Sequence, residues 1–324
     1  MLPEQKKILI ITVTLNTAVD KTYTVPNFAL DRVHRPTEWR IAAGGKGINV
    51  SRVLRELEMD TLAMGFAGGH NGAFIRESLQ ADGLPNDLVV SSGESRICIT
   101  VIDPEHGTQT EINENGPVIS ATELQTLEDR LMDGLNSAEG VVLSGSVPPG
   151  IPDDIYARWI KLAHDKGRWA FLDSSGTSMA KGMEAQPDFA KPNSREMAEL
   201  AGGELLTSDE ILEQARGWNL RGIGTMLVSL GRSGAMVTSG NDEWIGIPPQ
   251  IDFVSAVGSG DAFVAGFLFG KHHGYDIERS LRLAIASGAA NAMTFGAGFC
   301  SRESIKSLEM QVDVHKPGEA LVNG

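Results

Sequence analysis

Cysteine is nearly missing from this chain: there are two in 324 residues, Cys98 and Cys300, far apart in sequence. So sparse a set builds no disulfide scaffold. Cys98, in the apolar run Ile97-Cys98-Ile99, reads as a buried reduced thiol, and the cysteine usage points to a cytoplasmic home. Basic residues are also short, 28 Lys and Arg against 42 Asp and Glu, for a formal net charge of −14. Such acidity repels nucleic acid at long range, and no Lys/Arg cluster compensates for it. No uninterrupted apolar run approaches the ~18 residues of a membrane span. Lys6-Lys7 followed by the apolar stretch 8–15 superficially resembles a secretory leader. That stretch is short, holds two threonines and leads into Asn16, so a first β-strand is the better expectation. The seven histidines show no metal-ligand spacing, and His272-His273 is expected to end a helix in solvent. Trp39, Trp159, Trp169, Trp218 and Trp244 lack any spacing for base stacking and read as packing residues. No Gly-x-Ser-x-Gly nucleophile elbow occurs.

Glycine, by contrast, is abundant at 37 residues, and 41% hydrophobic residues supply a large core. The length suits one α/β domain with a small appendage. Strand-like runs at 8–15, 61–66, 140–143, 169–172, 188–190 and 225–228 alternate with helical spacing at 47–57, 73–79, 123–135, 153–164, 194–200 and 208–218. Two long helices, 261–271 and 277–293, close the core. This rhythm predicts βαβ units and a parallel sheet covered on both faces. Four segments break it by alternating without helices between them: 22–25, 37–41, 97–102 and 108–112. They predict a small accessory sheet, which must lie over the main body or pair with a second copy of itself. Residues 311–324 read as a loosely held tail.

Several segments carry chemistry. In Val257-Gly258-Ser259-Gly260-Asp261, two glycines flank a serine at the start of an apolar helix. Successive N–H groups can then converge on an anion, aided by the helix dipole. Asp261 is either a cap that favours this dipole or a base placed beside bound phosphate to take a proton from an attacking hydroxyl. The run 42–50 holds Gly44-Gly45-Lys46-Gly47-Ile48-Asn49, which matches neither the Walker A spacing nor the dinucleotide fingerprint. It is a tight turn into a helix, or a place where a polyol approaches the backbone and bonds Asn49. Lys191-Pro192-Asn193-Ser194-Arg195-Glu196 fits a capping box, or a magnesium and phosphate site through Asn193 and Glu196. The run 227–235, with Ser229, Gly231 and Gly234, suits a hairpin turn or a surface along a nucleotide. The segments 144–150, with Ser146, and 65–69 fall at carboxyl ends of strands, where open α/β sheets bind ligands. Asp20 can accept bonds from sugar hydroxyls. Arg96 can pair with a substrate phosphate, as can Arg32.

In this order the segments closely resemble the ribokinase-like sugar kinases, specifically the phosphofructokinase-B branch, from Ile8 to about Ser304. That branch includes 1-phosphofructokinase, the minor 6-phosphofructokinase and tagatose-6-phosphate kinase. The resemblance implies a Rossmann-like three-layer α/β sandwich, one domain over 1–324, with a β-sheet lid from about 21–42 and 95–113 that often serves as a dimer interface. Asp261 matches the catalytic base, with Gly258, Ser259 and Gly260 as the anion hole. Asn193 and Glu196 match the magnesium motif, acting on Mg²⁺ through water, and Lys191, Asn193, Ser229, Gly231 and Gly234 match ATP-binding positions. Asp20, Gly45, Lys46, Gly47, Asn49, Arg96 and Ser146 match phosphosugar positions, with Arg32 the candidate basic residue of the lid. K⁺ is implied beside the anion hole, at Ser255, Val257, Asn291, Thr294, Gly296 and Gly298. Two departures stand out: Thr17 replaces the usual proline, and Ser259 the commoner alanine.

The function so implied is transfer of phosphate from MgATP to a ketohexose phosphate, fructose 6-phosphate or fructose 1-phosphate, to give fructose 1,6-bisphosphate. Tagatose 6-phosphate is the nearest alternative acceptor, followed by an unphosphorylated sugar or a nucleoside. From other classes come a non-catalytic sugar-phosphate sensor, which the intact Asp261, Asn193 and Glu196 argue against, and a dinucleotide-dependent oxidoreductase, for which no fingerprint exists. The partners expected are a small phosphosugar and a second copy of the chain, with no nucleic acid and no membrane.

Overall fold

The computed structural model describes residues 9–204 and 206–319. Lys6-Lys7, the first residue of the expected strand 8–15 and the last five residues of the expected tail lie outside them. The described chain begins with β1 (Leu9–Thr14), β2 (Ala18–Thr24), β3 (Glu38–Gly44) and α1 (Lys46–Glu56). Next come β4 (Asp60–Phe66), α2 (Gly69–Ala81), β5 (Asn86–Val89), β6 (Arg96–Asp103) and β7 (Thr108–Asn113). The middle holds α3 (Ala121–Gly134), β8 (Ala138–Ser144), α4 (Ile155–Asp165), β9 (Trp169–Asp173), α5 (Gly176–Glu184) and β10 (Phe189–Ala190). Then follow α6 (Ser194–Leu200), α7 (Ser208–Leu220), β11 (Thr225–Ser229), β12 (Ala235–Ser239) and β13 (Asp242–Ile247). The last elements are α8 (Ser259–His272), α9 (Ile277–Ala292), α10 (Arg302–Glu309) and β14 (Asp313–His315).

Local chemistry sets several boundaries. Ser120 and Glu123 form a reciprocal capping box at the start of α3, as do Asn193 and Glu196 at α6 and Thr207 and Glu210 at α7. β1 is buried along nearly its whole length, as a central parallel strand must be. Alternate residues of its pleat enter different cores. Ile11 and Val13 pack with Leu127, Val141, Trp159 and Leu172. Ile10 packs on the opposite face with Val53, Val142, Phe171 and Phe267. Two apolar cores separated by one sheet make a three-layer sandwich.

Among the described residues the main sheet has ten strands in the order β14-β13-β12-β11-β10-β9-β8-β1-β4-β5. It is parallel from β5 to β11, and here the expectation from βαβ rhythm holds. The edge β12-β13-β14 runs antiparallel: the hairpin-turn alternative for 227–235 fits the β11–β12 reversal, whereas β13 and β14 were not expected as strands. The connection from β11 to β12 is one short turn around Gly231–Ser233, and so short a link permits only an antiparallel neighbour. The second sheet has four strands, in the order β3-β2-β6-β7.

Other expectations need correction. The tail is not loose throughout, because β14 pairs with β13 in register from Ile245↔His315 to Ile247↔Asp313. Trp39 is no packing residue: it stands on β3 of the small sheet with 64% of its surface exposed. Cys98, on β6, and Cys300 are free but only half-buried. His272 lies against Glu139, Nδ1 to Oε2 at 3.5 Å, rather than in open solvent. Among the described residues no helix is long and apolar enough to cross a membrane.

Parallel pairing decides where distant residues meet. Thr14 pairs with Ser144 and Ser144 with Asp173, so the carboxyl ends of β1, β8 and β9 lie side by side. Lys191 follows β10 and donates its N–H to Leu172 O at 2.9 Å, which brings it beside Asp173. The site described next is built along this edge.

Candidate active site

Gly258 caps α8 with φ +79°, a left-handed conformation that favours glycine. A Cβ there would also come within 2.7 Å of Ala297 Cα. The turn it makes exposes the first amides of α8. Ser259 N–H donates to Ala256 O at 3.1 Å, whereas those of Gly260 and Asp261 have no partner among the described residues. The proposed anion hole thus has two free donors at a helix N-terminus rather than a ring of three.

Asp261 sits in the first turn of α8, 5% exposed. Its Oδ2 accepts a hydrogen bond from Asn49 Nδ2 at 2.8 Å, across the gap between α8 and α1. Asn49 Oδ1 accepts from Arg52 Nη1 at 3.0 Å, which fixes the amide so that its NH₂ faces the carboxylate. α1 is tied to the end of β1 by Thr14 Oγ1, which accepts the Ile48 N–H at 3.0 Å. Burial pushes the Asp261 carboxyl up to about 7, opposed by nearby Lys46, Lys191 and the Asn49 bond and assisted by Asp173. A carboxylate poised there is suited to accept a proton near neutral pH.

Beside Asp261 lies an ion cluster built on a buried carboxylate, with Lys191 buried and Lys46 partly exposed. Asp173 is fully buried at the end of β9; its Oδ1 is 2.9 Å from Lys46 Nζ and 3.4 Å from Lys191 Nζ. The two lysines hold its carboxyl below the usual range despite the burial. Partial burial lowers the Lys46 ammonium, but Asp173 at 2.9 Å outweighs it and holds the group above its ordinary value. Gly260 closes the group, since a Cβ on it would lie 3.6 Å from Lys191 Nζ. Sequence reasoning missed Asp173 by ending the strand at Leu172. An aspartate at the carboxyl end of a parallel strand, ahead of Ser174-Ser175-Gly176, was the available signal.

The small sheet brings other residues to this edge. Asp20 lies directly over Gly44, where a Cβ would fall 2.0 Å from Asp20 Oδ2. Burial lifts its carboxyl to about 6, opposed by Arg96 and Arg52. Arg96 donates to Asn16 O and to Glu114 O, both at 3.1 Å. Asn16 Nδ2 donates to Ser146 Oγ at 3.1 Å, while its buried Oδ1 has no partner. Asn16 is the second residue that the motifs did not single out. A cavity of about 520 Å³ opens beside Arg96, bordered by Glu94, Glu114 and Asn115. Arg32 is not drawn in; it is exposed before β3 and makes no hydrogen bond or ion pair among the described residues.

The nucleotide-side candidates also gather. Ser229 bridges to Asn193, with its N–H on Pro192 O at 3.2 Å, so β11 lies against the Lys191–Asn193 segment. Gly231 and Gly234 bracket the hairpin turn that follows. Asn193 and Glu196 bond one another's backbone, Oδ1 to the Glu196 N–H at 2.9 Å and Oε2 to the Asn193 N–H at 2.8 Å. Burial raises the Glu196 carboxyl, with Lys46 opposing. Among the described residues no three acidic, His or Cys side chains converge as a metal cage. Glu196 is a single carboxylate, of the kind that holds Mg²⁺ together with substrate phosphates.

The residues implied for K⁺ form one knot. Asn291 Nδ2 donates to Val257 O at 2.7 Å, and its Oδ1 accepts the Gly298 N–H at 2.7 Å. Thr294 Oγ1 donates to Asn291 O at 2.8 Å, and Val257 N–H to Ser255 Oγ at 3.2 Å. Gly296 lies in the same loop, beside Arg40. The carbonyl and hydroxyl oxygens here are of the kind that bind hard cations, each engaged in a hydrogen bond within the knot.

The family model described as pfkB family carbohydrate kinase matches residues 6–304. Tagatose-6-phosphate kinase of Staphylococcus epidermidis is 34% identical over 309 residues, covering 94% of this chain and 99% of that protein. 1-Phosphofructokinase of Borreliella burgdorferi is 32% identical over 307 residues, covering 94% and 98%. The crystal structure of phosphofructokinase-2 from Escherichia coli in complex with potassium superposes with a TM-score of 0.86 at 26% identity, covering 94% and 99%. The three-layer fold is that of the ribokinase-like structures.

In the unliganded protein the Asp261 carboxyl is expected to titrate near pH 7. Asn49→Ala removes a bond to the ionised form and should therefore move that titration to higher pH. NMR of ¹³C-labelled aspartate reads both; an ordinary value of about 4 for Asp261 would contradict the burial described.

Proposed function

The chain belongs to the pfkB family of carbohydrate kinases, and on that premise we propose that it transfers the γ-phosphoryl group of ATP to a free primary hydroxyl of a ketohexose phosphate. As a member it is an ATP-dependent phosphotransferase acting on a sugar phosphate. The reading of its chemistry rests on one observation above all: buried Asp261, at the start of α8, is held by Asn49 beside Lys46 and Lys191.

Asp261 accepts the proton of the attacking hydroxyl as its oxygen approaches phosphorus. The free Gly260 and Asp261 N–H groups, in the turn made by Gly258 and Ser259, donate to the oxygens of the transferring group. Lys46 and Lys191 offset its charge. Asp20, Asn49, Ser146 and the backbone of Gly45–Gly47 hold sugar hydroxyls, and Arg96 pairs with the phosphate at the far end of the sugar. Ser229, Gly231 and Gly234 border the nucleotide. Asn193 and Glu196 would hold Mg²⁺ through water, and bound Mg²⁺ neutralises charge on the β- and γ-oxygens. The knot around Asn291 would hold K⁺, adding positive charge near the start of α8. The small sheet acts as a lid that excludes water during transfer.

The acceptor is fructose 6-phosphate or fructose 1-phosphate, and the product fructose 1,6-bisphosphate; tagatose 6-phosphate is the rival acceptor. Each presents a primary hydroxyl at one end and a phosphate at the other. The outer face of the lid joins two copies of the chain. Support comes from its pleat: Ile41, Lys21, Ile99 and Ile112 align across the four strands, and Trp39 lies one step on beside Tyr23. Of these, Trp39, Ile41 and Ile112 are exposed at 64%, 38% and 58%. A patch of that kind on a sheet is suited to burial against a second copy.

Asp261→Asn is expected to lose about 10²–10⁴-fold in turnover while ATP binding persists; near-normal turnover would remove Asp261 as base. A coupled ADP-release assay on the three phosphosugars, with and without K⁺, should show turnover on at least one, and none on all three would defeat the reading. Arg96→Ala should raise KM for the phosphosugar by roughly 10–100-fold, and an unchanged KM would favour an uncharged acceptor. Trp39→Glu with Ile112→Glu should convert a dimer into a monomer in sedimentation velocity. A wild-type chain that sediments as a monomer at micromolar concentration would refute the lid interface.

A further inference from the structure

Asp173 carries two ammonium groups on a single oxygen. Lys46 Nζ donates to Oδ1 at 2.9 Å and Lys191 Nζ stands 3.4 Å from the same atom. The lysines arrive from different sides of the site. Lys46 opens α1, the helix that carries Asn49, whereas Lys191 directly precedes Pro192-Asn193 and the β11 contact. Asp173 Oδ2 is buried and has no partner, and neither has Ser144 Oγ on the strand registered beside it. An ion pair that serves only the fold satisfies its remaining lone pairs, because burying charge is otherwise too costly. This one leaves lone pairs for a donor that the chain does not supply.

We infer that Asp173 is a positioning residue for phosphoryl transfer: it draws Lys46 from the acceptor side and Lys191 from the donor side onto one point, so that both ammonium groups converge on the transferring phosphoryl group beside Asp261. The inference rests on the kinase reading given above. Without the carboxylate the two lysines, each within 3.4 Å of one oxygen, repel each other and spread. Their separation, and with it the geometry around phosphorus, is then lost. The charged groups facing Asp261 are Lys46 from α1, Asp173 from β9 and Lys191 after β10, with Glu196 of α6 next to Lys46.

The decisive experiment compares pH profiles of kcat/KM, with folding checked by circular dichroism. Asp173→Asn should lower kcat by about 10²-fold while KM for either substrate changes far less, as expected when aligned groups are displaced. It also removes a negative charge that opposes ionisation of Asp261, so the acid limb should move to lower pH. Lys46→Met removes a positive charge that favours ionisation, so its acid limb should move to higher pH. Those shifts show that both charges act on Asp261; with folding intact, the loss of kcat at nearly constant KM is what separates positioning from support of the fold. Wild-type kcat in Asp173→Asn, or an acid limb that stays in place in both variants, would overturn the role. Should Asp173→Asn fail to fold, Asp173→Asn with Lys191→Met leaves no crowded pair. That protein should fold yet remain slow, and a wild-type rate in it would equally overturn the proposal. Absence of turnover in the unaltered protein on every phosphosugar would instead remove the kinase reading, and the inference with it.

Discussion

A carboxylate without access to water sits at the centre of this molecule, and much of the chain is arranged so that it can stay there. Asp173 is neutralised by Lys46 and Lys191, two residues 145 positions apart and on different elements. Burying the two ions Asp173 and Lys191 costs several kcal/mol per ion after relaxation. Apolar cores on both faces of the sheet stabilise the fold against that cost, one around Trp159 and Leu172, the other around Phe171 and Phe267. The cost is tolerated where β1, β8 and β9 end together, because their carboxyl ends and the segment after β10 bring the three charged groups to one edge.

A second constraint links the base candidate to the rest of the fold. Arg52 donates to Asn49 Oδ1, to Ala43 O and to Ala297 O, so one buried guanidinium touches α1, the small sheet and the loop after α9. Arg40, from β3, lies over the Phe299 ring at 3.5 Å and Arg52 over it at 4.4 Å. Arg40 also donates to Phe295 O at 2.8 Å. The loop that carries Thr294, Gly296 and Gly298 is thereby tied to the small sheet as well as to Asp261 through Asn49. Displacing the small sheet would pull on the same network that orients the Asn49 amide.

Much of the fold was legible because local physics and tertiary structure agree. Leu124, Leu127 and Leu131 announced α3 by spacing, while its start, set by the Ser120–Glu123 capping box, lies two residues before the expected one. The capping box at Asn193 and Glu196 marked α6 in the same way. What escaped was weakly periodic or short. α5 mixes Gly176, Met179, Gly182 and Met183, and β14 is only Asp313–His315, a strand that exists because β13 offers it an edge. Trp39 was misread because burial of an aromatic is decided by which face of a sheet it occupies and by what covers that face, neither of which its neighbours in sequence report.

For the site, residue type and order determined the glycine-rich helix starts, the aspartate after Gly258-Ser259-Gly260 and the Asn193–Glu196 cap, because these depend on contacts within a few residues. Only the tertiary structure decided that Asp173 and Asn16 belong with them, that Arg32 stands apart, and that Asp261 is buried deeply enough to be pushed up to about 7. Those outcomes follow from strand register and from helix packing across the sheet. Key partners there lie far apart in sequence, Asn49 on α1 with Asp261 on α8 and Lys46 with Asp173, and no local pattern encodes such pairings.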